Sequence, residues 1–148
     1  MAEPIYHYRH KQQGTALLIV LALCGIFLIV ATHEHIVVMN LSLALLIIIA
    51  TLFSSLTIYL THDKIGWHFG LKFWHKTIPL SDITSARLIT TKWYYGLGIR
   101  LVPSGWLYIV SGNHAIELTR LSGEKITIGT NDGKHLLKQL KKHHIKVK

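Results

Sequence analysis

Acidic residues and cysteine are what this 148-residue sequence most lacks. It has 7 Asp+Glu against 16 Lys+Arg, a formal charge of +9, and one cysteine. The lone Cys24 forms no intramolecular disulfide and no cysteine-based metal site, which excludes a disulfide scaffold. Charged residues make up 16% of the chain, against roughly 25% in soluble domains. With 50% hydrophobic residues, that balance excludes a disordered chain and an ordinary soluble enzyme.

Charge is scarcest between residues 15 and 60, where Glu34 is the single Asp, Glu, Lys or Arg. Two apolar runs fill that stretch. As helix, Thr15 to Thr32 would measure about 27 Å, close to the hydrocarbon thickness of a bilayer. Ile36 to Leu60 would measure about 37 Å, enough to span with tilt or to emerge at its last turn. Only His33, Glu34 and His35 separate the runs, which forces antiparallel neighbours.

The expected organisation is therefore an N-terminal segment 1–14, transmembrane helices 15–32 and 36–60 around a turn at 33–35, and a domain 61–148. Arg9 and Lys11 precede the first run and Lys64 follows the second, while the turn has no Lys or Arg. Positive flanks stay inside, so both termini are expected on the cytoplasmic side of the membrane, with the turn outside. A cleavable signal peptide is the alternative, but no small-x-small site follows Val30. Asn40, Ser42, Ser54 and Ser55 are the polar groups of the runs. Ala50 and Ser54 form a small-xxx-small pair suited to close helix contact, unless the hydroxyls bond back to their own helix. No ionisable residue lies deep in either run, which argues against a proton relay or ion pathway.

Residues 61–148 hold 14 Lys or Arg against 5 Asp or Glu. Their pattern is mainly β. Strands are expected at 65–69, 73–78, 83–89, 106–110, 115–121 and 125–130, with a glycine- and proline-bearing loop from Gly96 to Gly105. Ile116 and Leu118 alternate with Glu117 and Thr119, and Ile126 and Ile128 with Lys125 and Thr127, so one face of that hairpin should be wet. Asn131 or Asp132 offers an N-cap to a final helix carrying Leu136, Leu137 and Leu140 on one face.

The stretch Tyr95-Gly96-Leu97-Gly98-Ile99-Arg100, then Trp106 to Val110 with Ser111-Gly112, resembles the bacterial pleckstrin-homology-like domains. The likeness continues through Ile116-Glu117-Leu118, Ser122-Gly123, Ile126 to Thr130 and the Leu136–Leu140 helix. It implies a PH-like bent antiparallel sheet, or split barrel, capped by the C-terminal helix and carried by a membrane α-helical hairpin. It also implies structural roles for Gly96, Gly98, Arg100, Gly112 and Gly123, and no enzymatic activity. Two departures are plain. Gly133-Lys134 stands where the family has a proline, and the phosphoinositide-binding Lys/Arg cluster of eukaryotic members is reduced to Lys72 and Lys76.

Several constellations remain. Lys64, Lys72, Lys76, Arg87 and Lys92 are candidates for contact with anionic lipid headgroups, or else a solvated face. Trp93, Tyr94 and Trp106 are candidates for a partner or the membrane interface, or else core. Eleven histidines include His33 and His35 in the turn, yet none sits in a metal-binding spacing, and no metal or cofactor is expected. No nucleophile–base motif or nucleic-acid motif is present. The expectation is a non-enzymatic membrane scaffold that binds a protein partner or itself; the alternative is an anionic-lipid module acting through its basic face.

Overall fold

The computed structural model describes residues 5–148, so the first four residues of the expected N-terminal segment lie outside the described residues. The rest of that segment is structured. Tyr8–Gln13 forms strand β1, and one residue later the chain enters helix α1, Thr15–Thr32. The His33–His35 turn leads into the neighbouring helix α2, Ile36–Leu52.

Helix α2 ends well before Leu60, which corrects the expected boundary. Ser55–Leu60 is strand β2. The apolar run conceals a change of period: Leu56, Ile58 and Leu60 alternate with Thr57 and Tyr59, and β-branched and aromatic residues suit a pleated strand. Ser54 accordingly lies beyond the helix, so Ala50 and Ser54 make no helix–helix motif. The close approach falls at Gly25 of α1 instead, where an added β-carbon would sit 3.7 Å from Leu46 and 3.9 Å from Leu43 of α2. No residue of either helix is buried.

After β2 come β3 (Lys64–Phe69) and β4 (His75–Pro79), which complete a four-stranded antiparallel sheet in the order β1-β2-β3-β4. A second sheet is built from β5 (Ile83–Thr90), β6 (Gly98–Val102), β7 (Gly105–Ile109), β8 (His114–Arg120), β9 (Lys125–Gly129) and β10 (Lys146–Val147). Its order is β10-β5-β8-β9-β7-β6. Helix α3, Gly133–Lys142, precedes β10.

The domain is thus mainly β with a C-terminal helix, but it differs from one bent antiparallel sheet. It has two sheets, and the pairs β7–β9 and β10–β5 are parallel. The first parallel pair follows from connectivity. The chain leaves β7 through Ser111–Asn113 and enters β8 one strand away, and the β8–β9 hairpin folds β9 back into the gap. The expected 96–105 loop also contains a strand, because β6 pairs with β7 from Gly98↔Ile109 to Val102↔Gly105.

The two sheets bury a common core. Leu56, Ile58, Leu60, Ile65, Trp67 and Phe69 come from one, and Tyr108, Ile116, Leu118, Ile126 and Ile128 from the other. The Trp67 and Tyr108 rings meet edge to face at 5.2 Å. Leu136 and Leu140 of α3 close the core. The Asp132 side chain makes no cap bond. It accepts instead from the Tyr8 hydroxyl at 2.9 Å, which ties β1 to the start of α3. Burial, together with this carboxylate, raises the Tyr8 pKa.

The second face of the β8–β9 hairpin is not wet. Glu117 and Thr127 are buried. They share a row with Arg87, Leu107 and Arg100 across the sheet. Arg87 Nε donates to Glu117 at 2.8 Å, and Lys125 Nζ lies 3.6 Å from the same carboxylate.

Candidate functional site

Where the two helices meet the sheets, the chain forms a rim of turns. The Gly70–Trp74 turn between β3 and β4 lies against the end of α2: a β-carbon on Gly70 would strike the Leu52 carbonyl, and the Phe53 and Phe73 rings are 5.3 Å apart. Leu71, Phe73 and Trp74 are exposed on this turn, and Lys72 stands among them at φ 63°. That left-handed backbone is uncommon outside glycine. At the same rim Gln12 Nε2 donates to the Ser111 carbonyl at 2.9 Å.

The outer face of the four-stranded sheet descends from this rim. Period-two alternation puts Tyr8 and Gln12 inward and leaves Arg9, Lys11 and Gln13 exposed. Register then sets Lys11, Thr57, His68 and His75 in one row and Arg9, Tyr59 and Gly66 in the next. A side chain at Gly66 would collide with the Tyr59 ring, so glycine lets that ring lie over the sheet. The result is a cavity of about 330 Å³ lined by Tyr6, Arg9, Tyr59, His68, Lys72 and His75.

This cavity is electropositive. Among the described residues none that lines it is acidic, and neither Arg9 nor Lys72 makes an ion pair. Arg9 rests over the Tyr6 ring at 5.6 Å. His68 is 8% exposed, and its Nδ1 has no hydrogen-bond partner among the described residues. Burial lowers the His68 pKa, with Lys72, Arg9 and His75 adding to the effect and a weaker Phe69 backbone contribution opposing it.

The basic residues singled out in the sequence do not converge. Lys64 opens β3 and is exposed beside Pro79. Lys72 is in the cavity. Lys76 turns to the Trp106 ring, 5.9 Å away, and Arg87 is held by Glu117. Lys92 lies over Tyr94 at 5.5 Å, on the turn that borders the Arg87–Thr127 row. Comparison with protein-family models, with curated proteins and with solved structures gives no match.

Of the aromatic candidates, Trp106 is partly buried, packs against the core and stacks on Tyr108. Trp93 and Tyr94 are 88% and 58% exposed. Gly96 makes room for Arg100, whose Nε donates to the Leu97 carbonyl at 3.2 Å. Gly98, Gly112 and Gly123 all have positive φ, at turns or strand starts. No group of three His, Cys, Asp or Glu residues is gathered as metal ligands among the described residues, and His33 and Glu34 are exposed.

Arg9, Tyr59, His68 and His75 were missed as site residues. In the sequence Arg9 reads only as a positive flank of an apolar run, and Tyr59 reads as the end of a helix. Their meeting depends on β1 and β2 pairing across the intervening helices. Residues Tyr8-Arg9-His10-Lys11-Gln12-Gln13 are polar after the tyrosine, so no apolar alternation marked the strand.

Proposed function

We propose that the protein is a non-enzymatic, membrane-anchored module of pleckstrin-homology-like type that engages the anionic headgroup layer of a bacterial inner membrane. In this reading α1 and α2 form a bilayer hairpin, and both chain ends and the β domain stay on the cytoplasmic side. One observation carries it. The exposed Leu71-Lys72-Phe73-Trp74 turn, apolar and aromatic around a cation, sits against the foot of α2. That composition suits the bilayer interface, where aromatic rings and lysines settle. Helix α1 is 18 residues long and apolar enough to cross a membrane, and α2 is a shorter apolar helix of 17 residues beside it. Each Lys or Arg near an anionic leaflet is worth about 1 kcal/mol.

Hydrogen exchange of the full-length protein in nanodiscs tests this. Exchange of residues 71–74 is expected to slow in phosphatidylglycerol-rich discs relative to phosphatidylcholine discs. Equal exchange in both compositions refutes headgroup engagement.

A protein partner, or a second copy of the chain, is the second reading. It rests on the segment from Trp93 to Val102, where β6 is a sheet edge and Trp93, Tyr94 and Leu101 are exposed. Light scattering in mild detergent, repeated on Trp93→Ala, reports it as an oligomer or co-purified complex that the substitution weakens.

A further inference from the structure

From the cavity that Arg9, Lys72, His68 and His75 line together, we infer that the outer face of the four-stranded sheet holds a binding site for a single phosphate group. It takes the membrane-anchored reading further by naming the ligand chemistry, and the site's existence stands apart from the source of that phosphate.

The donors come from three separate parts of the chain. Arg9 reaches in from β1, Lys72 from the turn at the rim, and His68 and His75 from paired positions on β3 and β4. A tetrahedral anion with several acceptor oxygens fits donors arriving from different directions, and a guanidinium matches phosphate oxygens in pairs. Among the described residues no acidic side chain pairs with Arg9 or Lys72. Concentrating like charges costs stability, and an incoming anion offsets that cost.

His68 gives the site its floor. It is nine-tenths buried, lines the cavity, and leaves Nδ1 without a partner. Tyr59 and Tyr6 border the same space and meet edge to face at 5.5 Å. The cavity, about 330 Å³, admits a phosphate or the exposed phosphate of a headgroup but not a folded segment. Lys72 belongs both to the rim and to the cavity, so a headgroup phosphate can reach the site from the interface.

The test is histidine-selective nitrogen NMR on the full-length protein in mild detergent, with His68→Gln used for assignment. Inorganic phosphate is expected to shift the His68 ring-nitrogen resonances saturably. The shift should need about tenfold more phosphate in Arg9→Gln and in Lys72→Gln, since each substitution removes one charged donor from the anion. Both residues are at the surface, so these variants keep the core intact. The same spectra are then taken in discs of phosphatidic acid or phosphatidylglycerol against phosphatidylcholine. A response to free phosphate, with residues 71–74 indifferent to disc composition, supports the site and refutes headgroup engagement. A response confined to anionic discs supports both. No saturable His68 shift in either arm, or one unchanged in Arg9→Gln and Lys72→Gln, overturns the site.

Discussion

The Gly14 amide donates to the Ser54 carbonyl at 2.8 Å, where β1 turns into α1 and α2 gives way to β2. One antiparallel pair of strands therefore runs straight into the helical hairpin, and the β domain is clamped to the helices at two points instead of hanging from a linker.

The clamp predicts a sensitive position. A β-carbon on Gly14 would lie 2.7 Å from the Phe53 carbonyl and 3.3 Å from the Val110 side chain. Gly14→Val is expected to cost about 1–3 kcal/mol by overpacking. Thermal unfolding in detergent, compared with the parent, reads it; an unchanged midpoint contradicts the clamp.

Residues 61–148 expressed alone should not fold. That fragment lacks β1 and β2, and with them Tyr8, Leu56, Ile58 and Leu60, all buried in the core. Truncating any one such leucine or isoleucine costs about 2–5 kcal/mol, and marginal domains have little more to lose. Dispersed amide NMR signals from the fragment would refute this. A liposome test on the fragment would consequently say nothing about the native surface.

The Arg87–Glu117 pair is asymmetric, with Arg87 half exposed and Glu117 almost fully covered. Arg87→Ala leaves the buried carboxylate with Lys125 alone, at 3.6 Å. The expected loss is about 1–2 kcal/mol, reduced from the larger penalty of a fully buried pair because Arg87 is hydrated. Urea denaturation should show it, and Arg87→Gln should cost about the same.

Acid should weaken the fold through His68 and His143. Burial is the largest cause lowering both pKa values from the ordinary 6.5, helped by neighbouring cations and histidines. A folded histidine with a lowered pKa resists protonation that the unfolded chain accepts. Its contribution is complete above the unfolded pKa and disappears as pH falls through the lowered folded value. Thermal midpoints should therefore drop from about pH 7 to about pH 5, and less steeply in His143→Gln.

Much of the β domain was legible because its signals are local. The Ser122-Gly123-Glu124 turn, flanked by Ile116, Leu118, Ile126 and Ile128, marks a hairpin from neighbours alone, and Leu136 and Leu140 mark a helix by their spacing. The end of α2 was not legible, because Leu56, Ile58 and Leu60 extend an apolar run whose period changes without a break in hydrophobicity. Glu117 read as wet because alternation gives which residues share a face but not what covers it; the Arg87 and Lys125 side chains reach its carboxylate here.

The sequence by itself determined the two apolar helices, the three-residue turn that makes them neighbours, the excess of basic charge and most of the later strands. Each follows from composition or from interactions close along the chain. Only the tertiary structure decided that residues 8–13 pair with 55–60 across both helices, and so brought Arg9 beside His68, Lys72 and His75. The physical reason is that strand pairing between distant segments depends on which backbone edges remain unsatisfied once the whole chain has folded.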